Sequence, residues 1–277
     1  LKALLKLRPS FLKPELPRNG EPRTGLSMGE HCELMAQHWG IARGEQDELA
    51  LRSHQNMAAA FAEGWHADLL TPFQGLTRDH NLRPDLTLEK LAALKPVFER
   101  SDKGTLTAGN STPLTDGASV VLLGSEEWAK AQGLPVLAYL LDGETAAVDF
   151  VNGHEGLLMA PVYAVPRLLA RHGLSLQDFD YYEIHEAFAA QVLCTLKAWE
   201  DPDYCRDRLG LEQPLGSIDR SRLNVKGSSL AAGHPFAATG GRILANLAKL
   251  LDRAGQGRGL ISICAAGGQG VTAIIER

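Results

Sequence analysis

The chain has 277 residues, of which 44% are hydrophobic and 22% charged, enough for one large or two ordinary domains and against a disordered chain. A net charge of −5 argues against a general nucleic-acid coat, and 6% aromatic content argues against a stacking surface for single strands. Apolar runs such as Val120-Val121-Leu122-Leu123 fall far short of a membrane span.

The first 25 residues carry Lys2, Lys6, Arg8, Lys13, Arg18 and Arg23 against Glu15 and Glu21. Pro9, Pro14, Pro17 and Pro22 prevent a continuous helix there. The stretch reads as a solvated basic arm or as an anion-binding lip. Helices are predicted over 29–39 and from Glu45 to Ala62 or Glu63. In the second, Leu49, Ser53, Met57 and Phe61 recur on one face, and Gly64 stops it. Residues 65–104 read as irregular connections with a short helix over 87–94.

From Gly104 the character changes. A small-residue loop over 107–113 precedes a buried strand at 119–123. A helix over 126–132 ends at Gly133, and a strand follows at 135–141. Next come a helix over 161–171 ending at Gly173, a strand at 180–184 and a helix over 186–199. A helix over 239–253 leads to strands at 260–264 and 271–275. Strands alternating with helices make the class α/β, with helices covering a sheet. The Gly-rich link between the last two strands predicts an antiparallel hairpin, so the sheet is mixed.

The four cysteines, Cys32, Cys194, Cys205 and Cys264, include no CxxC pair, which argues against a zinc or thioredoxin-like motif. A reducing compartment follows from such sparse cysteines, and no signal peptide opens the chain. Three groups could carry chemistry. His185-Glu186-Ala187-Phe188 follows a strand, where Glu186 also suits a helix first turn and His185 a cap. Gly233-His234-Pro235 sits in a restrained, small-residue crossover that opens a helix. Cys264 ends an apolar strand ahead of Ala265-Ala266-Gly267-Gly268. It is either a small core hydrophobe or a thiol that exchanges protons with an imidazole near neutral pH, beside N–H groups able to hold an oxyanion.

In this order the three groups resemble the thiolase family. They match its Asn/His-Glu-Ala-Phe, Gly-His-Pro and Cys-x-x-Gly-Gly-x-Gly motifs, the last as Cys264-Ala265-Ala266-Gly267-Gly268-Gln269-Gly270. The run from Gly104 through Asn110-Ser111-Thr112-Pro113 to Ala118 looks like the family's return from its loop domain, and Gly25-Leu26-Ser27-Met28-Gly29 like the start of a loop-domain helix. His185 in place of Asn is similar to the fatty-acid-oxidation, trifunctional β-subunit-like branch. The resemblance implies a layered αβαβα fold with mixed sheets. Residues 1–104 would form a loop domain with a CoA-binding lip, 105–134 a remnant of the first core half, and 135–277 the second core half.

No residue matches the family's nucleophilic cysteine, which precedes the loop domain. The resemblance therefore implies a C-terminal portion with the first core half largely missing, in line with Leu rather than Met at position 1. It implies cleavage of 3-ketoacyl-CoA by CoA in fatty-acid β-oxidation, with this chain inactive alone. His234 would activate the nucleophile and bind the thioester oxygen. His185 would hold a water or donate to that oxygen, and Cys264 would be the second acid and base. The Ala266 N–H would serve an oxyanion hole, Ser111 and Thr112 the pantetheine arm, and Met28 the acyl pocket. CoA and acyl-CoA would be substrates, with no metal or other cofactor. The expected partners are a second copy or more of the chain and a hydratase/dehydrogenase α subunit. The expected compartment is the bacterial cytoplasm, or the mitochondrion in a eukaryote. A ketoacyl synthase and a noncatalytic CoA- or lipid-binding relative are the rival readings.

Overall fold

Four strands form one mixed sheet in the computed structural model of the chain, which describes residues 19–152 and 155–277. The strands are β1 (Tyr139–Ala147), β2 (Tyr181–Ile184), β3 (Arg258–Ala265) and β4 (Gln269–Glu276), in spatial order β1-β4-β3-β2. β3 and β4 are the predicted hairpin, β1 pairs antiparallel with β4, and β2 runs parallel to β3.

Alternation along β3 divides the core. Leu260 and Cys264 enter the larger apolar cluster, shared with helices α1 (Met28–Trp39), α5 (Ala160–His172) and α6 (Ala189–Glu200). Ile261 and Ile263 face the opposite side, against α9 (Phe236–Ala254). α9 is amphipathic, with Ile243, Leu247, Leu250 and Leu251 buried at helical spacing. Within α5, Pro166 has no N–H to give the carbonyl of Val162. That carbonyl instead accepts from Trp199 Nε1 of α6 at 3.4 Å.

The N-terminal helices α1 and α2 (Arg43–Ala62) clamp the segment that follows them. Buried Glu33 of α1 accepts hydrogen bonds from Thr105 N (2.8 Å), Thr105 Oγ1 (2.7 Å) and Leu106 N (2.9 Å). Asp47 of α2 accepts from Arg43 Nε (2.7 Å) and from Asn110 Nδ2 (3.0 Å). The 105–112 loop is thereby held against the core. Short helices α3 (Leu88–Ala92) and α4 (Glu126–Ala131) are near their predicted places.

Three expectations need correction. The segment 119–123 is neither paired nor buried: Val120 is 92% exposed, Leu122 69% and Leu123 65%. Its apolar pattern suits a covered strand, and the described residues cover only part of it: Ser119 Oγ donates to the carbonyl of Ala238 (2.7 Å), and half-buried Val121 lies beside Gly241 of α9. The strand expected at 135–141 starts later and extends through polar residues, because Asp142 and Glu144 of this edge strand bind Arg171 of α5. The helix expected from Glu186 starts at Ala189, since His185 and Glu186 are engaged elsewhere. Sequence periodicity also missed α7 (Pro202–Asp207), α8 (Ser229–Ala232) and a 3₁₀ turn at Arg220–Arg222, all too short to show a period.

Leu140 and Phe236 are 52% and 69% exposed as well. Uncovered apolar surface of this kind promotes association. The purified chain is expected to self-associate in light scattering coupled to size exclusion. A monodisperse monomer at high concentration would contradict this.

Candidate active site

The site begins where β2 ends. Asn224, in a left-handed conformation (φ 48°), accepts from the N–H of Ile184 at 3.0 Å and donates to its carbonyl at 2.9 Å. The same amide donates to Glu186 Oε1 at 2.7 Å. Glu186 Oε2 accepts from Ser53 Oγ of α2 (2.7 Å) and from the N–H of Leu230 (3.2 Å). One buried carboxyl thus joins α2, α8 and the loop after β2. Burial pushes its pKa up, against the pull of the Ser53, Asn224 and Leu230 bonds.

His185 lies between these anchors. Its N–H donates to the carbonyl of Ser262 in β3 (2.9 Å), and its Nδ1 lies 2.8 Å from Ser229 Oγ. His234 reaches it from the other side, the two ring centroids 4.4 Å apart at an interplanar angle of 42°. The N–H of His234 donates to the carbonyl of Pro113 (3.0 Å), and its Nδ1 contacts Thr239 Oγ1 of α9 at 2.7 Å. The preceding Gly233 has φ 95°, and a Cβ there would lie 2.6 Å from Thr115 Cγ2, so glycine is needed for the turn to pass. Burial drives the pKa of His185 well down, with His234 and Arg242 adding to the effect, and burial also lowers His234. Both imidazoles are therefore neutral near pH 7.

Cys264 is placed by register. Ile184 of β2 pairs with Ser262 of β3, and Cys264 lies two residues farther along β3. Its side chain is only 5% exposed and packs in the larger core with Cys32. Burial pushes the thiol up to about 12, which corrects the expectation of a thiol titrating near neutrality. Its burial fits the reading as a core hydrophobe, and its place near the end of β3 follows the motif. Among the described residues no hydrogen bond joins its sulfur to either imidazole. The Ala265–Gly268 turn is exposed at Ala266, with Gly267 and Gly268 at φ 78° and 74°.

The loop bearing Ser111 and Thr112 is stitched to the same corner. Thr112 N–H donates to the carbonyl of Ala187 (3.1 Å), and Thr112 Oγ1 donates to the carbonyl of Ser229 (2.6 Å). Ser111 bridges to Phe188, and its buried hydroxyl has no hydrogen-bond partner. Met28, at the start of α1, packs on the larger core. The structure thus gathers His185, His234, Ser111 and Thr112 and puts Cys264 on the adjoining strand. The basic arm lies outside the described residues except for Arg23, which pairs with Glu21 at 2.8 Å and lies over the Phe150 ring. Among the described residues no group of three or more His, Cys, Asp or Glu is arranged to hold a metal ion, and no helix is long and apolar enough to cross a membrane.

Sequence reasoning missed the supports. Thr239, Arg242, Asn246 and Lys249 form a polar stripe on α9 that reads as a solvated face. It faces inward instead: Arg242 Nη2 donates to Ser229 Oγ (2.8 Å), and Asn246 Nδ2 donates to Glu183 Oε1 (2.8 Å). Buried Glu183 is pushed up to about 8 by burial.

These shifts set a pH optimum for stability. Burial lowers His31, His54, His66, His185 and His234, with His54 and His66 at about 4. The unfolded chain binds those protons near 6.5, so stability is lost as pH falls from 6.5 toward 4. Glu183 acts oppositely. Its folded pKa is raised, so its contribution is full below about 4.5 and is lost as pH rises toward 8. Glu186 and Asp79 share that sign but are outnumbered by the histidines between 4.5 and 6.5. Melting temperature is expected to peak near pH 6.5, and Glu183→Gln should flatten the fall on the alkaline side. A melting temperature that rises steadily to pH 8 would contradict these assignments.

The thiolase C-terminal domain model matches residues 134–277, and the thiolase N-terminal domain model matches 20–127. A 3-ketoacyl-CoA thiolase of Yersinia pestis (strain Pestoides F) is 45% identical over 282 aligned residues, covering the whole chain and 64% of the relative. The chain thus spans less than two thirds of that relative's length. Among solved structures, the Bacillus anthracis acetyl-CoA acetyltransferase superposes with a TM-score of 0.80 at 35% identity, covering 98% of this chain and 67% of that one. Human mitochondrial 3-ketoacyl-CoA thiolase in complex with CoA gives 0.77 at 32%, covering 93% and 60%. With matching motifs seated at the ends of β2 and β3 and at the entry to α9, the chain belongs to the thiolase family.

Proposed function

We propose that this chain supplies the acid–base half of a 3-ketoacyl-CoA thiolase site. The observation that carries this reading is the packed pair of neutral imidazoles, His185 and His234, beside β3, whose next-to-last residue is Cys264. In the proposed reaction a cysteine thiolate, activated by His234, attacks the 3-keto carbon. The bond between C2 and C3 breaks, leaving an acyl thioester on that cysteine and an acetyl-CoA carbanion. Cys264 gives the carbanion its proton. The sealed Cys264 thiolate is a strong base, so it takes a proton back from the incoming CoA thiol. CoA then carries off the shortened acyl group. Imidazole N–H from the histidine pair and the Ala266 N–H would stabilise the oxyanions, a contribution of about 3–4 kcal/mol per donor.

Ser111 and Thr112 would meet the pantetheine arm, and Met28 would wall the acyl pocket. CoA and acyl-CoA are substrates, and the reaction takes no further cofactor. A second copy of the chain and a hydratase/dehydrogenase subunit are the proposed partners. The relatives' names and the CoA complex of the human neighbour support this reading.

All four cysteines are buried, and burial raises each thiol. The chain alone is therefore expected to give no thiolysis of acetoacetyl-CoA above background. A fusion placing ahead of Leu1 the relative's segment in which the family pattern puts the nucleophile should turn over. Turnover by the chain alone that disappears in Cys32→Ala would overturn the assignment.

A further inference from the structure

We infer that Arg242, acting through Ser229, fixes His185 as the tautomer with its proton on Nε2, making His185 a hydrogen-bond donor and not a base. Arg242 and Ser229 are positioning residues: neither is proposed to touch substrate.

The inference rests on counting hydrogens. A guanidinium only donates, so the 2.8 Å contact from Arg242 Nη2 occupies one lone pair of Ser229 Oγ. Ser229 is fully buried, so water does not compete for its hydroxyl. Among the described residues the one acceptor within reach of the hydroxyl hydrogen is His185 Nδ1, at 2.8 Å. With the proton on Nδ1 instead, the imidazole would donate to the second lone pair and the hydroxyl hydrogen would be left buried and unpaired. The hydroxyl therefore donates to Nδ1, and the imidazole proton is on Nε2.

Protonation of both nitrogens is disfavoured from every side. The ring faces His234 across 4.4 Å and the positive Arg242 through Ser229, and it is 1% exposed. Of the nearby carboxyls, Glu186 is bonded to Ser53, Asn224 and Leu230, and Glu183 is bonded through Oε1 to Asn246, its Oε2 having no hydrogen-bond partner among the described residues. His185 Nε2 has no hydrogen-bond partner among the described residues, so its N–H is available to a ligand oxygen. Resting on the thiolase reading, that oxygen is the thioester oxygen, and the base is His234 alone. The tautomer itself follows from the chain's own contacts.

Nitrogen-15 magic-angle-spinning spectra of the chain labelled at histidine, recorded at pH 7, test this, because oligomers do not broaden them. His185 is assigned by the signal lost in His185→Asn. The expected spectrum shows one neutral His185 species, protonated at Nε2. Ser229→Ala should lose that single species and give both tautomers, Ser229→Thr should restore it, and Arg242→Lys should keep it. The other eight histidine signals report whether each variant folds. A wild-type His185 protonated at Nδ1 or on both nitrogens overturns the inference without any variant, as does an unchanged tautomer in folded Ser229→Ala. Failure of the fusion to catalyse thiolysis would sink the proposed function and leave the tautomer result standing.

Discussion

In the active fusion, His234→Ala is expected to lower acetoacetyl-CoA thiolysis by about 10²–10⁴-fold, the usual contribution of a positioned acid or base. The loss should fall mainly on the turnover rate, since the imidazole acts on charge that develops during reaction. Thermal stability should change little, because the ring is half-buried, makes one side-chain hydrogen bond, to Thr239, and otherwise rests against the His185 and Phe236 rings. Cys264→Ser should also depress turnover strongly, for a different reason. A hydroxyl is a far weaker acid than a thiol and cannot protonate the carbanion or recover a proton from CoA as readily. Cys264 packs in the larger core, so its conservative replacement is expected to cost about 1 kcal/mol of stability. Circular dichroism melts separate the two effects. Unchanged turnover in either folded variant would remove that residue from the mechanism.

Glu186→Ala should be the most destabilising change near the site. The carboxyl is 2% exposed and accepts from Ser53, Asn224 and the N–H of Leu230, three donors on three separate elements. Each of the three stranded donors costs about 1–3 kcal/mol, so a total of at least about 3 kcal/mol is expected. That is a large share of the stability of an ordinary domain. Glu186→Gln keeps the shape and one carbonyl oxygen, and should lose roughly half as much. Urea denaturation of both variants measures this. A loss below about 1 kcal/mol for Glu186→Ala would mean that the network relaxes and that Glu186 does not hold the loop.

Local signals read well here. The hairpin of β3 and β4, the helices α1, α2, α5 and α9, and the three motifs follow from periodicity, glycine turns and short strings of residues. The supports were hidden because their partners lie far apart in the chain. Ser229 meets His185 across 44 residues, and Asn224 meets Glu186 across 38. The polar stripe of α9 was unreadable for a related reason. Polar residues at helical spacing usually face water, and here they serve a buried acid and a buried serine. At 119–123 the opposite holds: the sequence is written for burial, and the described residues leave Val120, Leu122 and Leu123 exposed. Cys264 was read correctly in position but not in environment, because a strand-end motif does not reveal how far the thiol is sealed.

Acyl transfer separates the roles of the two residues most directly. The fusion is mixed with acetyl-CoA, and its intact mass is measured for the wild type, Cys264→Ser and His234→Ala. Cys264→Ser should still gain one acetyl group on the grafted nucleophile, because that step needs no proton delivered to a carbanion, whereas His234→Ala should gain none. Normal acetylation of His234→Ala together with none in Cys264→Ser would reverse the two roles, and acetylation on Cys264 itself would contradict its place as the proton carrier.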